Sequence, residues 1–149
     1  MEEPQFTPLR TDAKALAINA LYIELIAAKN QLEELAHAVN MRWDSLPSTE
    51  QAIAGENLLI GLARWRSATL SFAHHSEQLG LDLHSLLLGP LLPTIDLLIG
   101  STLELHFQGR NPARYLDPPP SRINGPLFQI RETLALSQIL PKATSRRAG

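Results

Sequence analysis

The chain contains no cysteine. That excludes disulfide scaffolds, thiolate metal centres and cysteine nucleophiles together, and it fits a reducing compartment. Charged residues are few, at 19 %, and aromatic ones fewer, at 5 %. Apolar residues make up 44 %, so a packed core is expected and wholesale disorder is not. Catalytic signatures are missing too. No serine sits in a G-x-S-x-G or S-x-x-K frame, and GENLLIG (55–61) lacks the lysine that would complete a phosphate-cradling loop. The opening MEEPQFTPLR has neither the basic n-region nor the apolar h-region of a secretory leader. These absences predict a cytoplasmic protein that is not an enzyme, with no cofactor and no metal.

What is present divides by charge. Residues 1–108 carry six Lys/Arg against thirteen Asp/Glu, a balance of −7, and residues 109–149 carry seven against two, a balance of +5. An acidic body with a basic extension attracts itself, within one chain or between two, and the extension suits an acidic partner. The expected domains are a helical bundle over 1–108 and a proline-rich basic arm with a short helix over 109–149. At 149 residues the chain is long enough for one substantial core.

Thr11 and Asp12 offer N-cap oxygens to a helix over about 12–43 with no proline or glycine inside it. Ile18, Leu21, Leu25, Ala28, Leu32, Leu35 and Val39 step by three and four, which is a heptad seam. Beyond Glu33 the helix is polar off that seam, so Leu32, Leu35 and Val39 are expected to mediate self-association. In DSLPSTEQ (44–51), Pro47 ends the helix, and Ser48 with Gln51 predicts a capping box for a second helix over about 49–79. Leu58, Leu62, Trp65, Thr69, Phe72, Ser76 and Leu79 form its seam, and Gly80 suits a left-handed C′ position. Gly55 and Gly61 inside this helix suit close contact with a neighbour.

LLLGPLLPTIDLLIG (86–100) raises the membrane question. A span needs about 20 predominantly apolar residues, whereas only thirteen separate Asp82 from Asp96 and two prolines interrupt them. The expectation is a core helix: Asp82 caps a turn over 83–88, the chain breaks near Gly89–Pro90, and a buried helix runs over about 91–108, with Asp96 finding a polar partner. No membrane association is expected.

GRNPARYLDPPPSRINGP (109–126) holds five of the eleven prolines and should be extended around Pro118–Pro120. Helical composition returns over 126–140, where Pro141 ends it.

The remaining candidates are weighed by spacing. Glu34 and His37 form one Glu-x-x-His pair, where di-iron bundles need two plus further inward acids, and both lie off the seam. His74, His75 and His84 gather near the Gly80 turn, but adjacent helical histidines diverge by about 100°. Arg64-Trp65-Arg66, together with Tyr115 and the arm's Arg110, Arg114, Arg122, Lys142, Arg146 and Arg147, makes nucleic acid the alternative partner. An acidic body and a core position for Trp65 oppose it.

The fold class expected is all-α: a helical bundle of three long helices plus the proline-rich arm and a short amphipathic helix. The function expected is that of a non-enzymatic protein–protein interaction module (an adaptor, assembly chaperone or regulatory subunit) working as a homodimer. Tyr115, Leu127, Phe128, Ile130, Arg131, Leu134 and Ile139 of the arm are its expected partner-binding residues.

Overall fold

The computed structural model describes residues 8–142, which are helical with no strand. The basic end from residue 143, with Arg146 and Arg147, lies outside the described residues, as does the lead-in through Thr7.

Asp12 caps α1 (Ala13–Arg42), its carboxylate accepting from the Ala15 N–H at 3.3 Å. Arg10 grips the same carboxylate with two 2.9 Å bonds, and this guanidinium holds Asp12 below the usual carboxylate range. α2 (Ser48–Gln78) follows a 3₁₀ turn over Trp43–Ser45. The capping box does not form. Pro47, extended by its ring, takes the N-cap position and Ser48 is already helical, so Gln51 reaches back instead, donating from Nε2 to the Trp43 carbonyl at 2.9 Å. The far end follows expectation. Gly80 has φ +80°, its N–H bonds Glu77 O at 3.0 Å and that of Leu81 bonds Ser76 O at 3.0 Å, which is a Schellman cap.

The third helix corrects the sequence reading most. Helical structure is continuous over α3 (His84–Phe107), with no break at Gly89–Pro90. Leu87–Leu91 form a π-helical segment instead. Widening the backbone by one residue accommodates a proline whose N–H is missing and whose ring would strike the preceding turn. Leu83, not Asp82, occupies the N-cap, with no side-chain capping bond. Nor is α3 buried all round. Leu87, Leu91, Ile95, Leu98 and Leu105 face inward, while Leu97, Leu103 and Phe107 face out. By length and composition alone α3 could cross a membrane, and a third of its most apolar window is buried in the chain.

α2 is the element in the middle, packed along both α1 and α3. The Tyr22 ring meets Phe72 at 6.0 Å, and partial burial raises the Tyr22 hydroxyl's pKa against the opposing pull of Arg131. The two helical glycines sit where neighbours come close: a Cβ on Gly61 would lie 3.1 Å from Leu32 Cδ1, and one on Gly55 would collide with the His106 ring. Arg66 Nε donates to Asp96 Oδ1 at 2.6 Å, giving Asp96 its polar partner.

The arm returns over the fourth side. Asn111 Nδ2 donates to Asn40 Oδ1 at 2.8 Å, Asn40 Nδ2 donates to Asp117 Oδ2 at 3.1 Å, and His37 Nδ1 lies 3.1 Å from the same oxygen. α4 (Asn124–Leu136) then lies against the first turns of α3. It starts two residues before the expected Pro126 and stops at Leu136, four residues short of the expected end, because a left-handed Gln138 (φ +63°) and not Pro141 turns the chain; the Gln138 carbonyl accepts from the Arg10 N–H at 2.8 Å. Ala113, Leu116, Ile123, Ile130, Leu134 and Ile139 enter the same core as Leu25, Leu58 and Leu91. The boundary at 108/109 is therefore a change of backbone regime within one core.

Candidate functional site

His37 turns to Asp117 on the arm and not to Glu34. His74 and His75 stack edge to face with centroids 5.3 Å apart, and His84 Nδ1 is 3.5 Å from Glu77 Oε2. Among the described residues no three His, Asp or Glu side chains gather where they could hold a metal ion. What the surface offers instead is concave, and two regions stand out, one between α1 and α2 and one between α3 and the arm.

The first is a groove between α1 and α2. It contains adjoining hollows of about 350, 330 and 530 Å³ that share Leu35, Asn57, Ala28, Gln31 and Arg64. Its floor is made of small residues, Ala28, Ala54, Gly61 and Ala68, which is why it is concave. Its walls carry Leu35, Ile53 and Ile60, the two isoleucines 50 % and 51 % exposed. From Leu21 to Arg42 it runs about 30 Å along α1. The residues expected to mediate self-association divide: Leu32 and Val39 border the middle and upper hollows but are buried in the chain's own core, so only the partly buried Leu35, shared by both hollows, is left for a partner. Ile53 and Ile60 escaped the sequence reading. Their signal was a second apolar stripe seven residues apart, off the buried Leu58–Leu62–Trp65 seam.

The charges along this groove alternate. On α1, Glu24 lies toward one end and Arg42 at the other. On α2 the order reverses, with Arg64 nearer the Glu24 end and Glu50 beside Arg42. Gln31 and Asn57 occupy the middle.

The second region is a cleft of about 440 Å³ between α3 and the arm. α3 supplies Thr94, Leu97, Leu98 and Ser101 as one wall, and the arm supplies Tyr115, Pro118 and Pro120 as the other, with Arg114 and Arg122 also at the cleft. Leu97 is 58 % and Tyr115 50 % exposed. The Arg114 guanidinium carbon lies 5.9 Å from the Tyr115 ring centroid, within cation–π range.

The predicted arm residues divide between inside and outside. Leu127, Ile130, Leu134 and Ile139 are buried in the chain's own core. Tyr115 and Phe128 are exposed, and Arg131 is half-buried near Tyr22. Trp65, only 2 % exposed, cannot stack on a base, and Arg66 is engaged with Asp96. Compared with known protein families, curated proteins and solved structures, the chain matches none.

Proposed function

We propose that the protein is a non-enzymatic protein–protein interaction module: a bundle of three long helices closed by its own arm and short amphipathic helix. In the cytoplasm it works as a homodimer, in an adaptor, assembly-chaperone or regulatory role. The observation that carries this reading is the α1–α2 groove, whose small-residue floor and isoleucine walls have the shape that receives a helix. A second copy of this chain is the occupant argued for. The acids and bases on the two edges of the groove run in opposite order, so a two-fold-related copy laid over it sets Glu24 and Glu50 against Arg42 and Arg64.

The test is the mass in solution by light scattering. Wild type is expected at twice the 16.5 kDa chain mass, and Ile60→Asp at the single mass with an unchanged helical spectrum, because Ile60 is half exposed and its loss leaves no cavity. A monomeric wild type, or a dimer indifferent to Ile60→Asp, would count against the reading.

A further inference from the structure

The cleft between α3 and the arm has a composition the α1–α2 groove lacks, and we infer that it is a binding site for a small aromatic anion, a carboxylate or phosphate carried on a flat apolar body. Two arginines, Arg114 and Arg122, border a mainly apolar recess that Thr94 and Ser101 also line. Among the described residues neither pairs with a carboxylate. The acids nearest the cleft in sequence are both turned elsewhere: Asp96, beside Leu97, bonds Arg66 on α2, and Asp117, beside Pro118, bonds His37 and Asn40 on α1. The fold thus gathers two cations at the cleft and directs the neighbouring anions away from it. Guanidinium groups grip carboxylate and phosphate through paired N–H donors. The half-exposed Tyr115 ring gives a flat body a face to stack on, and Leu97 with Leu98 lies across from it. The volume suits a small molecule and is too small for a folded partner. Pro118 and Pro120 have no backbone N–H to offer an anion, which leaves the two guanidinium groups as the charged donors at the cleft.

The experiment uses the full chain and two probes with one ring system. 1-Anilinonaphthalene-8-sulfonate is anionic, and N-phenyl-1-naphthylamine is its neutral counterpart. Fluorescence titration is expected to show one sulfonate per chain, bound at least tenfold tighter than the amine. Arg114→Gln and Arg122→Gln should each weaken the sulfonate about tenfold and leave the amine unchanged, while Tyr115→Ala weakens both. Both arginines are exposed, and circular dichroism checks that the variants fold. The site extends beyond the proposed dimer, so Ile60→Asp should leave both titrations as they are. Equal binding of the two probes, indifference to both arginine changes, or loss of the sulfonate in Ile60→Asp would overturn the assignment. So would displacement by a short single-stranded oligonucleotide at far lower concentration than by 2-naphthoate, because the cleft would then belong to a nucleic-acid surface.

Discussion

The two concave faces differ in how the chain makes them. The α1–α2 groove comes from helix periodicity: small residues recur on facing helical stripes, and the hollow follows wherever both helices lack bulk. The α3–arm cleft is made by a long-range return, in which an irregular proline-rich segment is laid against a helix it does not resemble. The first face is nearly neutral and elongated, suited to another helix. The second is short, aromatic and cationic. The difference teaches that a helical seam can advertise a surface in the sequence, whereas a site made by a crossing segment depends on every contact that holds the segment down.

That dependence can be broken most severely at the arm. Ile130 is fully buried, and Ile130→Ala should cost about 2–5 kcal/mol in chemical unfolding. The same change should abolish sulfonate binding before it affects the mass in solution. An Ile130→Ala protein as stable as wild type would mean the arm stands off its body. Truncation at residue 108 should go further and remove cooperative unfolding, since it strips Ile123, Ile130, Leu134 and Ile139 from the shared core.

The two faces of α2 are separated by its glycines, Gly55 packing under His106 of α3 and Gly61 lining the α1–α2 groove. Gly55→Ala gains about 1 kcal/mol of helix propensity but forces the His106 ring aside, for a net loss on the order of 1 kcal/mol. Gly61→Ala meets only the flexible end of Leu32 and should be near neutral, which a comparison of thermal midpoints will show. At the junction where the arm ends, Gln138→Gly should raise the midpoint slightly. It relieves a left-handed conformation costing L-residues about 1–2 kcal/mol, less the extra chain entropy of glycine. The smallest effect is at the N-cap. Asp12 has its pKa lowered by Arg10, so its contribution is present above the ordinary aspartate value and lost as pH falls through the lowered one. Arg10→Gln should move that loss to higher pH in an acid titration followed by circular dichroism.

Much of the fold was legible because its signals are local. Asp12, Pro47 and Gly80 mark helix ends through side-chain oxygen, fixed φ and left-handed φ, and each does so within a residue or two of where it was expected. Leu32, Leu35 and Val39 stood out by spacing, but that spacing marks the chain's own core as readily as a surface: Leu32 and Val39 are buried in it, and Leu35 is the one left partly open beside the groove. Pro90 misled because a proline's missing donor can be absorbed by a π segment as well as by a break, and the choice lies with the packing of Leu87 and Leu91. The cleft was illegible for a different reason. Leu97 and Tyr115 lie on different elements, and the arm is brought alongside by the Asn111–Asn40–Asp117–His37 network together with buried Ala113, Leu116 and Ile123, none of which sequence spacing announces. Tyr115 was singled out for its chemistry, without its setting.

The central claim is that the arm closes its own chain and leaves the α1–α2 groove for a second copy. Methyl contacts between differently isotope-labelled chains, mixed and read by filtered NMR, test it directly. The account predicts intermolecular contacts at Leu35, Ile53 and Ile60. Contacts at Ile130, Leu134 and Ile139 instead would mean the arms are exchanged between chains, and would contradict it.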